Sequence, residues 1–319
     1  MKHIFISISL AVLCSAHPAL GQTYPNRPIR LLVPFAPGGG SDLIARIAGQ
    51  KLTEATGQPV IVENRPGAGG TVAAELGAKA APDGYTLTLI APSYTVGPSL
   101  YKLTFDAAND ITPVIQLSQG AFLLAVHPSL PVRNVKELIA LAKARPDQMS
   151  YGSAGSGSGI HLAMELFLDL AGIRIVHVPY KGNAPALTDT VAGNVQMLWG
   201  SAPSTLPQIK TGRLRAIAVS TRERSPAAPD IPTVTEAGLK GYDVVLWHGL
   251  IGPRGLPAPV VGRINGELNK ALKTSEMRDR LAVDGVMPAG GTPEQFAAEI
   301  RRGIETWSRV IRKVGVKPE

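Results

Sequence analysis

The chain has 319 residues, with 32 lysines and arginines against 24 aspartates and glutamates, so its formal net charge is +8. This length can bury a large core and suggests about two domains. The basic residues are spread along the chain without a dense block or interleaved aromatic residues, which argues against a nucleic-acid partner. Beyond the N-terminal region, no stretch reaches the roughly 18 apolar residues that a membrane-spanning helix needs.

The first 21 residues have the features of a secretory signal peptide. A basic start at Lys2 precedes the apolar run IFISISLAVL, which is too short to cross a bilayer, and Ala19 and Gly21 are small residues at a suitable cleavage site. Leu13, directly before the single cysteine Cys14, argues against a lipoprotein signal. We therefore expect cleavage after Gly21, export to the periplasm, and a mature chain without a disulfide or a cysteine metal site.

Strand-like and helical runs alternate in the next hundred residues. The run IRLLVPF is apolar, as in a buried parallel strand. The helix expected after it has apolar residues at the spacing of one buried face, namely Leu43, Ile44, Ile47, Ala48 and Leu52. PVIVEN and LTLIA are the next two strands, with a second helical run, TVAAELGAKAA, between them. This order predicts an open parallel sheet with helices on both faces.

The second half of the chain repeats this order after an apolar connector. From Pro113 to Val126 the chain is apolar and is interrupted by Gly120, which predicts a connector from one lobe into the next. Strands and helices then alternate, DVVLWHGLIGP predicts a second crossing, and three helical runs end the chain. We predict a signal peptide over residues 1–21, a first lobe from residues 22–121 and 222–319, and a second lobe from residues 122–221.

A glycine-rich loop follows a predicted strand and opens a predicted helix in each lobe. These loops are the stretches PFAPGGGSDLIAR and YGSAGSGSGIHLAMELF. In an open α/β sheet, ligands bind beyond the carboxyl ends of the strands, against helix N-termini. Glycines let backbone N–H groups approach a ligand, and the helix end adds a partial positive charge. The two loops predict an anion site between the lobes, although such glycines also occur as turn residues alone.

The loops do not match the phosphate-binding or nucleophile motifs that they superficially resemble. A P-loop needs Gly-Lys-Ser/Thr at its end, a dinucleotide loop needs G-x-G-x-x-G, and an α/β-hydrolase needs G-x-S-x-G, and none of these occurs in either stretch. Neutral donors without a fixed cation suit a carboxylate better than a triphosphate. One loop alone offers too little binding energy for micromolar affinity, about 8 kcal/mol, so two lobes closing on one ligand are expected.

Individual side chains near the loops leave alternatives open. Asp42 is expected to cap its helix rather than to contact the ligand. His161 could donate to an anion or serve packing alone, and Tyr180, in HVPYKG, could reach the cleft or not. Ser93, in SYTVG after a strand end, is expected to face the crevice.

Three other histidines are expected to take no part in metal binding. His127, His177 and His248 each stand alone in a strand-like run, without the neighbouring ligands that a metal site needs. The tryptophans are expected in the core rather than at a binding site. We expect no metal and no cofactor.

Seven stretches, taken in order and spacing, resemble the Bug proteins, the periplasmic substrate-binding components of tripartite tricarboxylate transporters. They are PFAPGGGSDLIAR, ENRPGAGG, PDGYTL, YGSAGSGSGIHLAMELF, HVPYKGNAPALTD, PTVTEAG and TPEQFAAEI. The resemblance covers essentially the whole chain after the signal peptide. It implies an α/β, two-lobed type II periplasmic-binding-protein fold, with a hinge of crossing strands and the ligand in the interlobe cleft.

The resemblance also implies a ligand carboxylate held between residues 35–42 and 153–158, with bridging waters. The family's ligands are mostly carboxylates, including di- and tricarboxylic acids, acidic amino acids and aromatic acids. Combined with the residue patterns above, the expected ligand-binding set is Phe35, Ala36, Gly39, Gly40, Ser41, Asp42, Ser93, Tyr94, Ser153, Ala154, Ser156, Gly157, Ser158, His161, Tyr180 and Ser201.

One departure from the family pattern affects the expected specificity. After the strand VQMLW, relatives usually have an acidic or amide residue, where this chain has Gly200 and Ser201. The loss of that side chain would enlarge or neutralise the far end of the pocket. A bulkier or less basic solute is therefore compatible with the sequence.

The leading hypothesis is a monomeric, non-enzymatic solute-binding protein that captures a small carboxylate and delivers it to the membrane subunits of a tripartite tricarboxylate-type transporter. A ligand-sensing receptor subunit for a two-component kinase is the alternative with the same binding site. A periplasmic serine hydrolase, with Ser153 or Ser156 as nucleophile and His161 as base, is the third alternative, although no Asp-His-Ser order is apparent.

Overall fold

A computed structural model describes residues 24–283 and 286–314 of the protein, and the predicted signal peptide lies outside this range. The strands of the described part are β1 (Ile29–Val33), β2 (Val60–Asn64), β3 (Thr86–Ile90), β4 (Ile111–Val126), β5 (Ser150–Ser153), β6 (Val176–Pro179), β7 (Met197–Ser201), β8 (Arg215–Val219), β9 (Val245–Pro253) and β10 (Val286–Pro288). Its α-helices are α1 (Gly40–Thr56), α2 (Thr71–Ala78), α3 (Ser93–Leu100), α4 (Val135–Ala144), α5 (Gly159–Ala171), α6 (Asn183–Ala192), α7 (Ala202–Lys210), α8 (Ala258–Leu272), α9 (Ser275–Val283) and α10 (Pro293–Val314).

The strands form one continuous curled sheet with two halves, because β4 belongs to both. In the first half the order is β2-β1-β3-β9-β4, with β10 also paired to β4. The pairs β1–β2 and β1–β3 are parallel, and β9 runs antiparallel to both β3 and β4. In the second half, β5 is parallel to β6 and β7, while β4 lies antiparallel between β7 and β8. We refer to the two halves and their helices as the first and second lobes.

The strand β4 changes partners in its middle, and this change places the hinge. Residues 111–121 of β4 pair with β9, whereas residues 122–126 pair with β7 and β8. The residue Gly120 does not interrupt the strand as the sequence suggested, because it keeps its pairing with Leu246 and Val286. The chain returns to the first lobe between β8 and β9. The lobe boundaries at residues 121/122 and 221/222 stay a prediction.

A buried serine ties the two crossings together. Ser220, which has no exposed surface, donates a 2.6 Å hydrogen bond from its hydroxyl to the carbonyl of Val244. The same hydroxyl accepts a 2.9 Å bond from the backbone N–H of Phe122. Backbone bonds between Ser220 and both of these residues complete the junction.

Aromatic packing in the core holds α5 in place, and the N-terminus of this helix borders the cavity described below. Below α5, the ring of Trp199 stacks on Tyr242 with the ring centres 5.6 Å apart, and Phe167 meets both rings edge-on. The Tyr242 hydroxyl also donates a 2.8 Å hydrogen bond to the carbonyl of Ala163 within α5. These contacts hold α5 against the second half of the sheet, and they place the ring of Trp199 in the core, as the sequence suggested.

The sequence patterns missed three elements of the described part. Two of these elements, the helices α3 and α7, were missed because they contain prolines. Pro98 lies in α3, and α7 has a proline in its first turn and Pro207 inside it. Proline is tolerated in the first helical turn, where its missing N–H has no intrahelical partner. The strand β10 has only three residues and carries no alternating pattern of its own.

Within residues 24–283 and 286–314, no helix combines the length and the apolar character required to span a bilayer.

Replacement of Ser220 by alanine is expected to lower the free energy of unfolding by about 1–3 kcal/mol, because it leaves a buried N–H and a buried carbonyl without their partner. Chemical denaturation measures this change. Ser99→Ala, at an exposed position of α3, is the matched control and should alter stability by less than about 0.5 kcal/mol. Equal stabilities of the two variants would contradict the assigned role of Ser220.

Candidate functional site

A small cavity of about 40 Å³ lies between the two lobes, beyond the carboxyl ends of the parallel strands. Phe35 follows β1 and borders it from the first lobe, and Ala154 follows β5 and borders it from the second. Phe122 of β4 and Leu246 of β9 form its floor near the hinge. This is the position where open α/β sheets bind their ligands.

Five helices begin at this cavity. Residues of their first turns or N-caps border it: Gly39 and Gly40 of α1, Ser93 of α3, Ser158 and Gly159 of α5, Asn183 of α6, and Ser201 of α7. The first N–H groups of a helix have no intrahelical partner, and the N-terminus carries about half a positive charge. The cavity is therefore surrounded by partial positive charge from both lobes.

Four of the five helix N-termini lack a capping side chain. The N-cap residues Gly39, Pro92, Gly182 and Ser201 make no side-chain hydrogen bond to their helices. Only α5 is capped, by Ser158, whose Oγ accepts a 3.3 Å bond from the backbone N–H of His161. In α1, α6 and α7 the first-turn donors are thus not taken by a capping side chain, whereas in α3 the N–H groups of Tyr94 and Thr95 already donate to the carbonyls of Ala91 and Pro92.

Asp42 holds the first glycine loop in shape. The Asp42 carboxylate accepts hydrogen bonds of 3.0 Å from the Gly38 N–H, 3.0 Å from Arg46 and 3.1 Å from Asn64. Burial raises the pKa of Asp42, but these hydrogen bonds outweigh burial and bring the pKa below its ordinary value. Asp42 is ionised and engaged by its neighbours, and it does not border the cavity.

Two backbone donors of the second glycine loop are used inside the loop. The N–H of Gly155 donates to Ser153 Oγ at 3.1 Å, and the N–H of Gly157 donates to His161 Nδ1 at 2.9 Å. Both glycines have a positive φ, +112° and +77°, which favours glycine at these positions. The loop is thus held in shape by side chains behind it.

A stacked group of aromatic side chains lies behind that loop. The rings of His161 and His177 are 4.0 Å apart and nearly parallel, and His177 Nε2 lies 2.6 Å from Ser153 Oγ. Tyr151 stacks on His177 and donates a 2.5 Å bond to Glu165. His177 stands alone in its strand-like run, but β5, β6 and α5 bring these side chains together, which spacing along the chain did not indicate.

Burial keeps His161 neutral. Loss of hydration, and to a smaller extent the neighbouring ring of His177, lower the pKa of His161 to about 3. The Nδ1 atom, which accepts from Gly157, therefore carries no proton, and the proton of the neutral ring is on Nε2. His161 thus holds the loop through Gly157, and it does not border the cavity.

The geometry does not support Ser153 with His161 as a nucleophile and base. Ser153 is fully buried, does not border the cavity, and its hydroxyl lies against His177 instead. Ser156 borders an adjoining opening of about 420 Å³, and no histidine contact is described for its hydroxyl.

Half of the predicted ligand-binding residues border the cavity: Phe35, Gly39, Gly40, Ser41, Ser93, Ala154, Ser158 and Ser201. Ser156 and Tyr180 line the adjoining opening. Six do not border either space: Ala36, Asp42, Tyr94, Ser153, Gly157 and His161. Tyr94, for example, points away and donates a 2.7 Å bond to the carbonyl of Ala107. Direct contact with a ligand stays a prediction for the set as a whole.

The structure adds lining residues that the sequence analysis missed. They are Ala91, Pro92, Phe122, Gly159, Ile160, Asn183, Leu246 and His248. Asn183 had a usable signal, since it opens a helix directly after the strand-like HVPYKG. His248 had none, because its place at the cavity depends on how β9 crosses behind both lobes.

The polar lining of the cavity is neutral in charge. Burial lowers the pKa of His248 to about 3, and its Nδ1 lies 3.1 Å from Ser118 Oγ. The other polar side chains are serine hydroxyls and the Asn183 amide, and no lysine, arginine, aspartate or glutamate is found among the described lining residues. Positive potential at the cavity thus comes from the helix N-termini.

The lobes are in contact at the rim of the cleft. Tyr101 of the first lobe donates a 2.5 Å hydrogen bond to the carbonyl of Ser156, and the N–H of Ala36 donates a 3.2 Å bond to the carbonyl of Lys181. Gly69 comes so close that a Cβ there would lie 2.8 Å from the Ser156 carbonyl oxygen. The described conformation is closed, with space for only a few water-sized groups.

Solved structures share this architecture. Rpa4515 of R. palustris, solved with adipate, has a TM-score of 0.90 at 36% identity over 93% of this chain and 100% of that chain. MatC (Rpa3494) of Rhodopseudomonas palustris, with bound malate, has a TM-score of 0.86 at 33% identity over 90% of this chain and 100% of that chain. The protein has the two-lobed periplasmic-binding-protein fold, and the predicted fold class is confirmed.

Sequence comparison identifies the family within this class. The family model described as "Tripartite tricarboxylate transporter family receptor" matches residues 44–316. BugT of Bordetella pertussis is 36% identical over 98% of this chain and 97% of that protein. The chain therefore belongs to the tripartite tricarboxylate transporter receptor family, and the predicted resemblance is confirmed.

The buried His161 is expected to make the fold less stable in acid. Its pKa is about 3 in the folded protein and roughly 6.5 in an unfolded chain. The unfolded state therefore binds the proton first, and stability is lost as the pH falls from about 6.5 towards 3, by at most about 1.4 kcal/mol per pH unit. His161→Asn, whose Oδ1 can still accept from Gly157, should reduce this slope in denaturation measured across the pH range. A slope equal to that of the wild type would contradict the assignment.

Proposed function

We propose that the protein is a periplasmic solute-binding protein that captures a small carboxylate in the interlobe cavity and delivers it to a tripartite tricarboxylate-type transporter. The observation that carries this proposal is the convergence of five helix N-termini on one cavity whose described lining has no lysine or arginine. Helix N-termini from both lobes bind an anion without a fixed cation.

The energies of this arrangement are adequate for a solute-binding protein. One helix N-terminus contributes about 0.3–1 kcal/mol, and up to about 2 kcal/mol in a partly buried site. Each hydrogen bond to a charged group adds about 1.5–3 kcal/mol. Micromolar affinity corresponds to about 8 kcal/mol. Donors from both lobes together reach this range, so ligand binding and lobe closure are expected to be coupled.

Relatives support the carboxylate assignment. The similar structures of Rpa4515 and MatC carry adipate and malate, which are both carboxylates. The lobes are in contact at the rim of the cleft, so they are expected to separate for a ligand to enter. The hinge at β4 and Ser220 is where we expect this movement to occur.

Several further parts of the proposal rest on the sequence. Residues 1–21 are proposed to direct export and to be removed, which places the protein in the periplasm. The membrane subunits of the transporter are the proposed partners, and the protein is proposed to act as a monomer without catalytic activity. A conserved gene neighbourhood with transporter subunits, rather than with a two-component kinase, would favour transport over sensing.

A thermal-shift screen of the mature protein against carboxylates tests the proposal. A ligand that binds only the folded state, at about 100 times its Kd, adds about 2.7 kcal/mol of stability. At least one mono-, di-, tri- or aromatic carboxylate should therefore raise the melting temperature clearly. No shift with any carboxylate would contradict the proposal.

Gly39→Asp is expected to weaken binding of any carboxylate found in that screen by at least about 30-fold, because several kcal/mol of like-charge repulsion arise at the N-terminus of α1. The backbone permits the change, since φ is −83° and a Cβ would have no neighbour closer than 3.7 Å. Titration calorimetry measures the affinity.

Two controls separate charge from bulk and from position. Gly39→Asn has the same bulk without the charge and should weaken binding much less than Gly39→Asp. Gly262→Asp, on the exposed surface of α8 with no atom near its Cβ position, adds the same charge elsewhere and should leave binding unchanged. Equal affinities of Gly39→Asp and Gly262→Asp would show that the anion does not lie at α1.

A further inference from the structure

A buried carboxamide at the cavity has one end without a hydrogen-bond partner. Asn183, the first residue of α6, borders the cavity and is only 8% exposed. Its Nδ2 donates a 2.6 Å hydrogen bond to Ser204 Oγ. Its Oδ1 is buried and has no hydrogen-bond partner in the part of the chain that the structure describes. Because an unpaired buried acceptor is costly, such a group indicates a missing donor.

A chain of hydroxyl groups engages the other end of the amide. Ser204 Oγ accepts from Asn183 Nδ2 and donates a 3.3 Å bond to the carbonyl of Ser201, and Ser201 Oγ lies 3.1 Å away from it. With Nδ2 directed at Ser204 Oγ, the oxygen is the unpaired end of the amide in the structure.

Asn183 lies opposite the start of α1. Its Cβ is 3.8 Å from the position that a Cβ on Gly39 would take, on the other lobe. A carboxylate held at the N-terminus of α1 would therefore lie beside Asn183. A ligand group that reaches Oδ1 must then be attached close to the carboxylate.

The surroundings favour a neutral donor on that ligand. A carboxylate oxygen cannot donate, so the partner of Oδ1 is a hydroxyl or an ammonium group. An ammonium would lie among five positive helix ends, and the described lining contains no aspartate or glutamate to balance it. The nearest acid in sequence, Asp42, is already engaged by Arg46, Gly38 and Asn64. A hydroxyl meets both conditions.

We propose that Asn183 selects carboxylates that carry a hydroxyl on the carbon next to the carboxylate, by accepting a hydrogen bond from that hydroxyl at Oδ1. This inference rests on the proposed function, because it assigns the carboxylate to the α1 N-terminus. An acid without the hydroxyl leaves Oδ1 buried and unpaired, and binding sites of this kind discriminate strongly against the analogue that lacks the donor.

Titration calorimetry on the mature protein with matched acids tests this proposal. The probes are lactate, malate and mandelate, their analogues without the hydroxyl (propionate, succinate and phenylacetate), and their 2-amino analogues (alanine, aspartate and phenylglycine). Each hydroxy acid forms a set with its two analogues. In the set whose size fits the cavity, the hydroxy acid should bind at least tenfold more tightly than the analogue without the hydroxyl and than the 2-amino analogue. This comparison needs no variant.

The same titrations on Asn183→Leu assign the preference to this side chain. Leucine has a similar volume and no acceptor, so the ratio of the hydroxy-acid to the deoxy-acid affinity should fall to below threefold. A purely structural role would weaken both acids equally and leave the ratio unchanged. Asn183→Ala serves if the leucine variant does not fold, and Asn194→Leu, at an exposed position just after α6, is the matched control.

The outcomes separate this inference from the proposed function. Loss of the hydroxyl preference in Asn183→Leu but not in Asn194→Leu would support it. Binding of carboxylates without a hydroxyl preference, a preference for the 2-amino acid, or an unchanged ratio in both Asn183 variants would overturn it and leave the proposed function intact. Binding of another carboxylate but of none of the nine probes would overturn this inference alone, and absence of binding by every carboxylate, those of the thermal-shift screen included, would overturn both.

Discussion

The backbone donors of five helix N-termini meet at one cavity, and the arrangement of the two lobes around it follows from the need to satisfy these donors. Such donors are tolerated at a buried cavity only when an acceptor from the ligand or from water meets them. The first and second lobes each supply part of the set, so neither lobe has a complete site alone. A charged lysine or arginine would bind an anion in either lobe without closure. With neutral donors on both sides of the cavity, closure is expected to be part of the proposed binding.

The fold supplies the movement that this site requires. Two crossings join the lobes, β4 and the segment before β9, and Ser220 connects them at the point where β4 changes partners. Behind the second glycine loop, His161 keeps the loop in shape through Gly157. The loop can therefore present its remaining donors in a fixed arrangement while the lobes move as units, which lowers the ordering cost of binding.

Local patterns predicted two α/β lobes joined by two crossings, and together with the family resemblance they predicted the fold class and half of the cavity lining. Ser41 and Ser158 follow strands and open helices, and that local order alone places them at the cleft. Contacts between distant segments were not predictable in this way. The pairing of His177 with Ser153 and the place of His248 depend on strand order. Asp42 was expected chiefly as a helix cap, and the structure shows it holding the loop through Gly38 and Arg46.

The central claim is that the cavity recognises the negative charge of a carboxylate through neutral donors. The most direct measurement is titration calorimetry of one bound carboxylic acid against its own primary amide, which has nearly the same shape without the charge. If the helix N-termini recognise the charge, the acid should bind at least about 100-fold more tightly than the amide, corresponding to roughly 2.7 kcal/mol. Equal affinity of the acid and the amide would contradict it, because the helix N-termini would then contribute nothing to recognition.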